Sequence, residues 1–423
     1  MYHFKLTKFN NGLRVLTVPS KQSLSFQIMV LVNTGADFET KENNGISHFL
    51  EHMCFKGTKK RPTNLDITRE LDSIGGSYNA FTGSEYTGYY AKVAKQNKDI
   101  ALDVVSDIFL NSQFPLKEIN KEKGVIIEEI NMRQDDPKRY IWDVWGELLY
   151  ENQPAGRPIV GNKENIKRFK REDLIKYCES QYRAGSILIL ASGNFSEKEI
   201  VKQIHRSFRA IRSGQGKAKE KIQEKQTKPG VSLEYKKTDQ SHLVLGFRGI
   251  NLFDKRKYAL RVLDTIFDGG MSGILFQTIR EKLGVAYYVG SIMALYSDYG
   301  FWAVKAGVDN SRLEEVIKVT LKEWKKFKTK LVGGKEFKKA KDFIAGRVAL
   351  SLENVHDAAE DIAFQELLQN QIETPEQYLR KIKEVTSRDV QKVAQDLLTS
   401  QSLNLALIGP HKNKEKLEKL LYV

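Results

Sequence analysis

The sequence predicts an α+β protein of two homologous domains of duplicated origin, each a mainly antiparallel β-sheet packed with α-helices. Three observations predict it. Alternating, β-prone stretches are interleaved with amphipathic helical ones along all 423 residues. The second half replays the first: FKREDLIKYCESQYRAGSILILASGNF aligns with VTSRDVQKVAQDLLTSQSLNLALIGP, Asp173 against Asp389 and Gly193 against Gly409, both at an offset of 216. Between the copies, residues 213–230 are polar and lysine-rich without an apolar period, which marks a linker. The expected division is a first domain over 1–212, a basic linker over 213–230 and a second domain over 231–423.

Taken in order, LTKFNNGLRVLTVP reads as two strands joined at Asn10-Asn11-Gly12, and LSFQIMVLVNTGA as a central strand. The stretch GISHFLEHMCFKGT, Gly45 to Thr58, predicts a helix of about three turns, capped by Asn44 or a neighbour, with Gly57 left-handed after its end. NLDITRELDSIGG predicts a second helix, ended by Gly75 and Gly76. SYNAFTGSEYTGYYAKV follows as a strand pair, and a long helix runs from Lys98 to about Leu110. Pro115 opens and Pro137 closes the next helix, PLKEINKEKGVIIEEINMRQDDP. Its start matches VGGKEFKKAKDFI near an offset of 218, Glu118 against Glu336. Where the first copy has HFLEH, the second has YALRVLDTIFDGG, without a histidine.

The chemistry concentrates on the helix at Gly45. His48 and His52 are four apart and share a face, so two imidazoles can grip one cation. Glu51 sits beside them, with a carboxylate able to take a proton from metal-bound water. The order H-x-x-E-H reverses the familiar zinc-helix motif. Two histidines beside Ile46, Phe49, Leu50 and Met53 are equally compatible with ordinary half-buried residues, and a third ligand decides between the two. On the later helix Glu122 and Glu129 are seven apart and share a face, whereas Glu128 is turned about 100° away. By themselves they also fit a solvated acidic stripe.

Composition narrows the partners. The net charge of +15 is spread along the chain, with runs only near Lys217–Lys228 and Lys322–Lys330. No nucleic-acid motif accompanies it, so a solvated basic surface is expected and no nucleic-acid partner. No run approaches the roughly 18 apolar residues that would cross a bilayer, so no membrane association is expected. The N-terminal run lacks an apolar signal core, and a cytoplasmic location is expected. Cys54 and Cys178 are too few for a disulfide framework and read as reduced, buried thiols.

Over essentially its whole length the chain resembles the M16 metallopeptidases, in their short, processing-peptidase-like form. The motif stands as His48-Phe49-Leu50-Glu51-His52 in the context HFLEHMCFKGT. The family's third ligand is a glutamate about 76 or 77 positions after the second histidine, and 77 falls on Glu129, within EKGVIIEEINMRQDDP. Glu122 falls where the family keeps a second, supporting carboxylate. In the second half, GGMSGILFQTIREKLGVAYYV supplies Arg280 and Tyr287, which resemble the substrate-binding pair of the metal-free half. Asn79 and Ala80 match the edge strand on which substrate is laid. The resemblance implies a Zn2+ ion on His48, His52 and Glu129, and Glu51 activating a zinc-bound water. It also implies an endopeptidase for unfolded peptides or precursor segments, working inside an enclosed chamber as a homodimer. The alternative within the family is a noncatalytic structural or binding subunit. One departure is visible: the family's loop often continues M-S-S-R-L, where this chain has Met271-Ser272-Gly273-Ile274-Leu275, which puts substrate preference in question.

Overall fold

A computed structural model describes residues 3–423; Met1 and Tyr2, at the head of the N-terminal run, lie outside the described residues. The first half runs β1 (Lys5–Lys8), β2 (Arg14–Pro19), β3 (Ser25–Val32), α1 (Ile46–Met53), α2 (Asn64–Asp72), β4 (Ser77–Thr82), β5 (Thr87–Ala94), α3 (Lys98–Asn111), α4 (Leu116–Asp135), α5 (Pro137–Tyr150), α6 (Lys163–Arg168), α7 (Arg171–Gln181), β6 (Ile187–Gly193) and α8 (Glu197–Phe208). The second half runs β7 (Gly230–Tyr235), β8 (Gln240–Arg248), α9 (Lys257–Asp268), a π-helical turn (Phe276–Lys282), β9 (Ala286–Leu295) and β10 (Gly300–Asp309). It continues through α10 (Leu313–Thr329), α11 (Gly334–Ser351), α12 (Val355–Gln369), α13 (Pro375–Glu384), α14 (Ser387–Leu397), β11 (Leu403–Gly409) and α15 (Lys414–Glu418).

The strands form two sheets, ordered β1-β2-β6-β3-β5-β4 and β7-β11-β8-β10-β9. All pairs are antiparallel except β2 with β6 and β11 with β7, which occupy matching places. The α+β class with a sheet in each half is therefore as expected. The repeat has a local cause. In α7 the Asp173 carboxylate accepts from the Lys170 N–H, and in α14 Asp389 accepts from the Thr386 N–H, both at 2.8 Å. Each helix then feeds the strand that ends at Gly193 or Gly409. The aligned aspartates are thus the same helix-start device used twice.

Two compact units contain these sheets, and neither is contiguous in sequence. The first takes residues up to Met132, then Arg157–Glu220 and Ser351–Ile372, so it includes α12. The second takes Arg133–Gly156, Lys221–Leu350 and Glu373–Val423, so it includes α5. Division into 1–212 and 231–423 does not carry this exchange of one helix each way. Side-chain alternation explains why both faces of each sheet need a cover. On β3, Phe26, Ile28, Val30 and Val32 enter one core, with α1 and α3, while Met29 and Leu31 enter another with Ala359 and Ala363 of α12. From Ile28 to Val32 β3 is apolar at every position, the pattern of a strand buried on both faces. In the second unit, Leu243, Leu245 and Phe247 of β8 point to one core, and Val244 to the other with Val144 and Trp145 of α5.

The histidine helix departs from expectation in its length. α1 has eight residues, about two turns rather than three, because the chain turns off after Met53. Gly45, the neighbour of Asn44, holds the cap position at φ +97°, within the expected bounds. The capping oxygens come from an earlier residue: the Glu39 carboxylate accepts from the Gly45 and Ser47 N–H groups at 2.7 Å each. The Asn44 amide also donates to Glu39, at 2.9 Å, so it supports the cap without being it. Gly57 is left-handed as expected, at φ +123°. Among the described residues no helix is long and apolar enough to cross a membrane.

Candidate metal centre

α1 is held by its apolar side, where Ile46, Phe49, Leu50 and Met53 are buried in the core of the first unit. That leaves His48, Glu51 and His52 along the remaining face. α4 is positioned in the same way by Ile119, Ile126 and Ile130, with Glu122 buried among them and Glu129, two turns further on, partly exposed. The two helices bring three donors together. His48 Nε2 and His52 Nε2 are 3.2 Å apart, and Glu129 Oε2 lies 3.6 Å from the first and 3.8 Å from the second.

These distances fit a metal ion. Donors bound tetrahedrally at about 2.0–2.1 Å lie about 3.3–3.4 Å from one another, close to all three separations. The proton arrangement agrees. Burial raises the Glu122 pKa, but bonds from His52 and Lys56 outweigh it and hold the carboxyl below its usual range, so it is an acceptor. His52 Nδ1, at 2.8 Å from Glu122 Oε1, therefore donates, which leaves Nε2 as the ring nitrogen turned toward His48. His48, His52 and Glu129 could hold a metal ion between them.

Glu51 borders this group and is not part of it. Its Oε2 accepts from the Thr82 hydroxyl at 2.5 Å, which ties it to the end of β4. Burial pushes its pKa up and the Glu129 charge adds to that, while Thr82 and His52 pull it down; the net direction is upward. A carboxyl so placed is a better proton acceptor than a solvated one.

Residues 14–163 match the family model described as Insulinase (Peptidase family M16), and residues 168–344 the one described as Peptidase M16 inactive domain. An uncharacterized zinc protease of Rickettsia felis is 36% identical over 412 residues, which span 97% of this chain and 98% of that one. The chain belongs to peptidase family M16. The uncharacterized zinc protease YmxG of Bacillus subtilis is 35% identical over 95% of this chain and 97% of its own. The fold agrees with a protease from Helicobacter pylori, at TM-score 0.88 and 21% identity over 97% of this chain and 100% of that one. It also agrees with a peptidase M16 inactive domain structure from Pseudomonas fluorescens, at TM-score 0.89 and 17% identity over 97% and 98%.

The other residues expected at the site fall in two places. Asn79 and Ala80 lie on β4, the open edge of the six-stranded sheet, with Asn79 exposed and Ala80 buried. The Ala80 N–H donates to Asn79 Oδ1 at 2.9 Å. Arg280 and Tyr287 belong to the second compact unit. Arg280 is exposed on the π-helical turn, 5.3 Å over the Phe276 ring, and Tyr287 is 65% exposed on the edge strand β9. Three neighbours of the M16 centre were not read from the sequence: Glu39, Thr82 and Lys56, whose ammonium lies 2.8 Å from Glu122 Oε2. Lys56 carried a signal, being four residues past His52. Thr82 carried none, since it reaches Glu51 through packing of a strand edge on a helix.

Proposed function

We propose that this M16 chain is a zinc-dependent endopeptidase that hydrolyses unfolded peptides or precursor segments inside an enclosed chamber. The observation that carries the reading is the convergence of His48, His52 and Glu129 on one point, with Glu51 beside them and outside the ligand set. Zinc held by these three residues would supply Lewis acidity to the scissile carbonyl and lower the pKa of water toward about 7.

Glu51 accepts the proton of the attacking water and returns it to the leaving amine. Thr82 holds the Glu51 carboxylate by one oxygen and leaves the other for that task. Glu122 keeps the proton of His52 on Nδ1. A peptide laid along β4 at Asn79 and Ala80 adds a strand and is held by its main chain, so many sequences are accepted. Arg280 and Tyr287 are the proposed donors to substrate carbonyl oxygens, and both side chains are exposed. The assembly we infer is a cytoplasmic homodimer, because both halves of the peptidase are present in one chain.

The test is Glu51→Gln. Zinc near one per chain in both proteins, with hydrolysis of a mixed peptide library lost by several orders of magnitude in the variant, is the expected result. Retained turnover in the zinc-loaded variant counts against Glu51, and no zinc uptake after metal repletion assigns the chain to the noncatalytic subunits.

A further inference from the structure

The polar segment between the two copies hides one lysine. From Arg209 to Pro229 the chain has no helix or strand, and most of its side chains are exposed. Lys219 is different, with a side chain only 11% exposed. Its ammonium lies 2.7 Å from Glu85 Oε1 and 3.7 Å from Asp37 Oδ2, and these carboxylates are 3% and 2% exposed. Two like charges buried this deeply need a cation beside them.

Those carboxylates sit on the pieces that frame the centre. Glu85 is in the turn between β4 and β5, three residues past Thr82. Asp37 is in the short turn Ala36–Phe38, two residues before Glu39, the cap of α1. The backbones of the two turns are already joined: Ala36 N–H donates to Gly83 O at 3.1 Å and Asp37 N–H to Ser84 O at 2.8 Å. They approach so closely that a Cβ on Gly35 would stand 2.2 Å from Gly83 O. The Lys219 ammonium bridges one carboxylate from each of these turns.

We propose that Lys219 is a positioning residue for the substrate: by neutralising Asp37 and Glu85 it clamps the β4–β5 hairpin to the turn that caps the metal helix. β4 is then held at the spacing a bound peptide requires. The inference rests on β4 being the peptide-docking edge, and it assigns this role to a residue of the linker that touches neither metal nor substrate.

The experiment compares Lys219→Met and Lys219→Arg with the wild type, full-length and zinc-loaded, by amide hydrogen exchange and by steady-state hydrolysis of one unstructured peptide. In Lys219→Met, amides of residues 35–38 and 77–86 exchange faster while those of α4 do not. KM rises about tenfold with kcat within about twofold, zinc content is unchanged, and Lys219→Arg restores both readouts. A general loss of stability would accelerate exchange throughout and lower the active fraction instead, leaving KM alone. Wild-type exchange at 77–86, or a loss carried by kcat at unchanged KM, overturns the proposal. Should Lys219→Met fail to accumulate folded, Lys219→Gln, which also removes the ammonium, gives the same reading, and wild-type exchange there is equally decisive. If the wild type hydrolyses no peptide, the peptidase reading falls, and the exchange data still decide whether the clamp exists.

Discussion

His52 is held from both sides: Glu122 Oε1 lies 2.8 Å from its Nδ1, and His48 Nε2 lies 3.2 Å from its Nε2. The first contact decides which nitrogen carries the proton, and the second points the remaining lone pair at the donors that share the site. Replacing the carboxylate should therefore weaken metal binding without removing a ligand. For Glu122→Gln we expect zinc affinity to fall about 10- to 100-fold, read by competition with a chromogenic chelator. Unchanged affinity would mean that His52 is oriented by packing alone.

Lys56 extends this arrangement by one step, since its ammonium holds the other oxygen of Glu122 at 2.8 Å. Lys56→Met leaves a carboxylate 3% exposed without that cation, and Glu122 then becomes a poorer partner for His52. We expect about tenfold weaker zinc binding in the same competition, and near-normal binding in Lys56→Arg. Equal affinities in Met and Arg variants would show that the charge at this position is immaterial.

The helix that joins the first unit from the second half of the sequence brings a pH dependence. His356 of α12 is inserted between Ser25 and Ser192, at 2.7 and 2.8 Å from its ring nitrogens. Burial, with Lys92 adding to it, depresses its pKa to about 4 from an ordinary value of 6.5. The folded state thus binds fewer protons than the unfolded one in this range. The stability it contributes is present above about 6.5 and is lost as pH falls toward 4. Urea midpoints measured from pH 7.5 to 4.5 should fall across that window and fall less in His356→Gln. A parallel decline in both proteins would place the titration elsewhere.

Much of the centre could be read because helix periodicity is local. Seven-residue spacing put Glu122 and Glu129 on one side of α4, and four-residue spacing did the same for His48 and His52 on α1. The duplicated capping aspartates, Asp173 and Asp389, gave the second sheet its expected place. What escaped the sequence was set by distant partners. The amphipathic faces of α5 and α12 say that each covers a sheet but not which one, so the exchange of helices was invisible. Gly45, beside Asn44, took the cap position, but the acceptors came from Glu39, six residues earlier, which reaches the helix start with both carboxyl oxygens. Lys219 looked like every other lysine of its segment until Asp37 and Glu85 were brought beside it.

The central claim is that side chains from α1 and α4 bind one ion. X-ray absorption at the zinc edge of the loaded protein addresses it most directly. The account predicts two imidazole nitrogens and carboxylate oxygen in a shell at about 2.0–2.1 Å, with one imidazole signal lost in His48→Ala and the carboxylate contribution lost in Glu129→Ala. Sulfur at about 2.3 Å, pointing to Cys54 or Cys178, or a spectrum unchanged by either substitution, would contradict it.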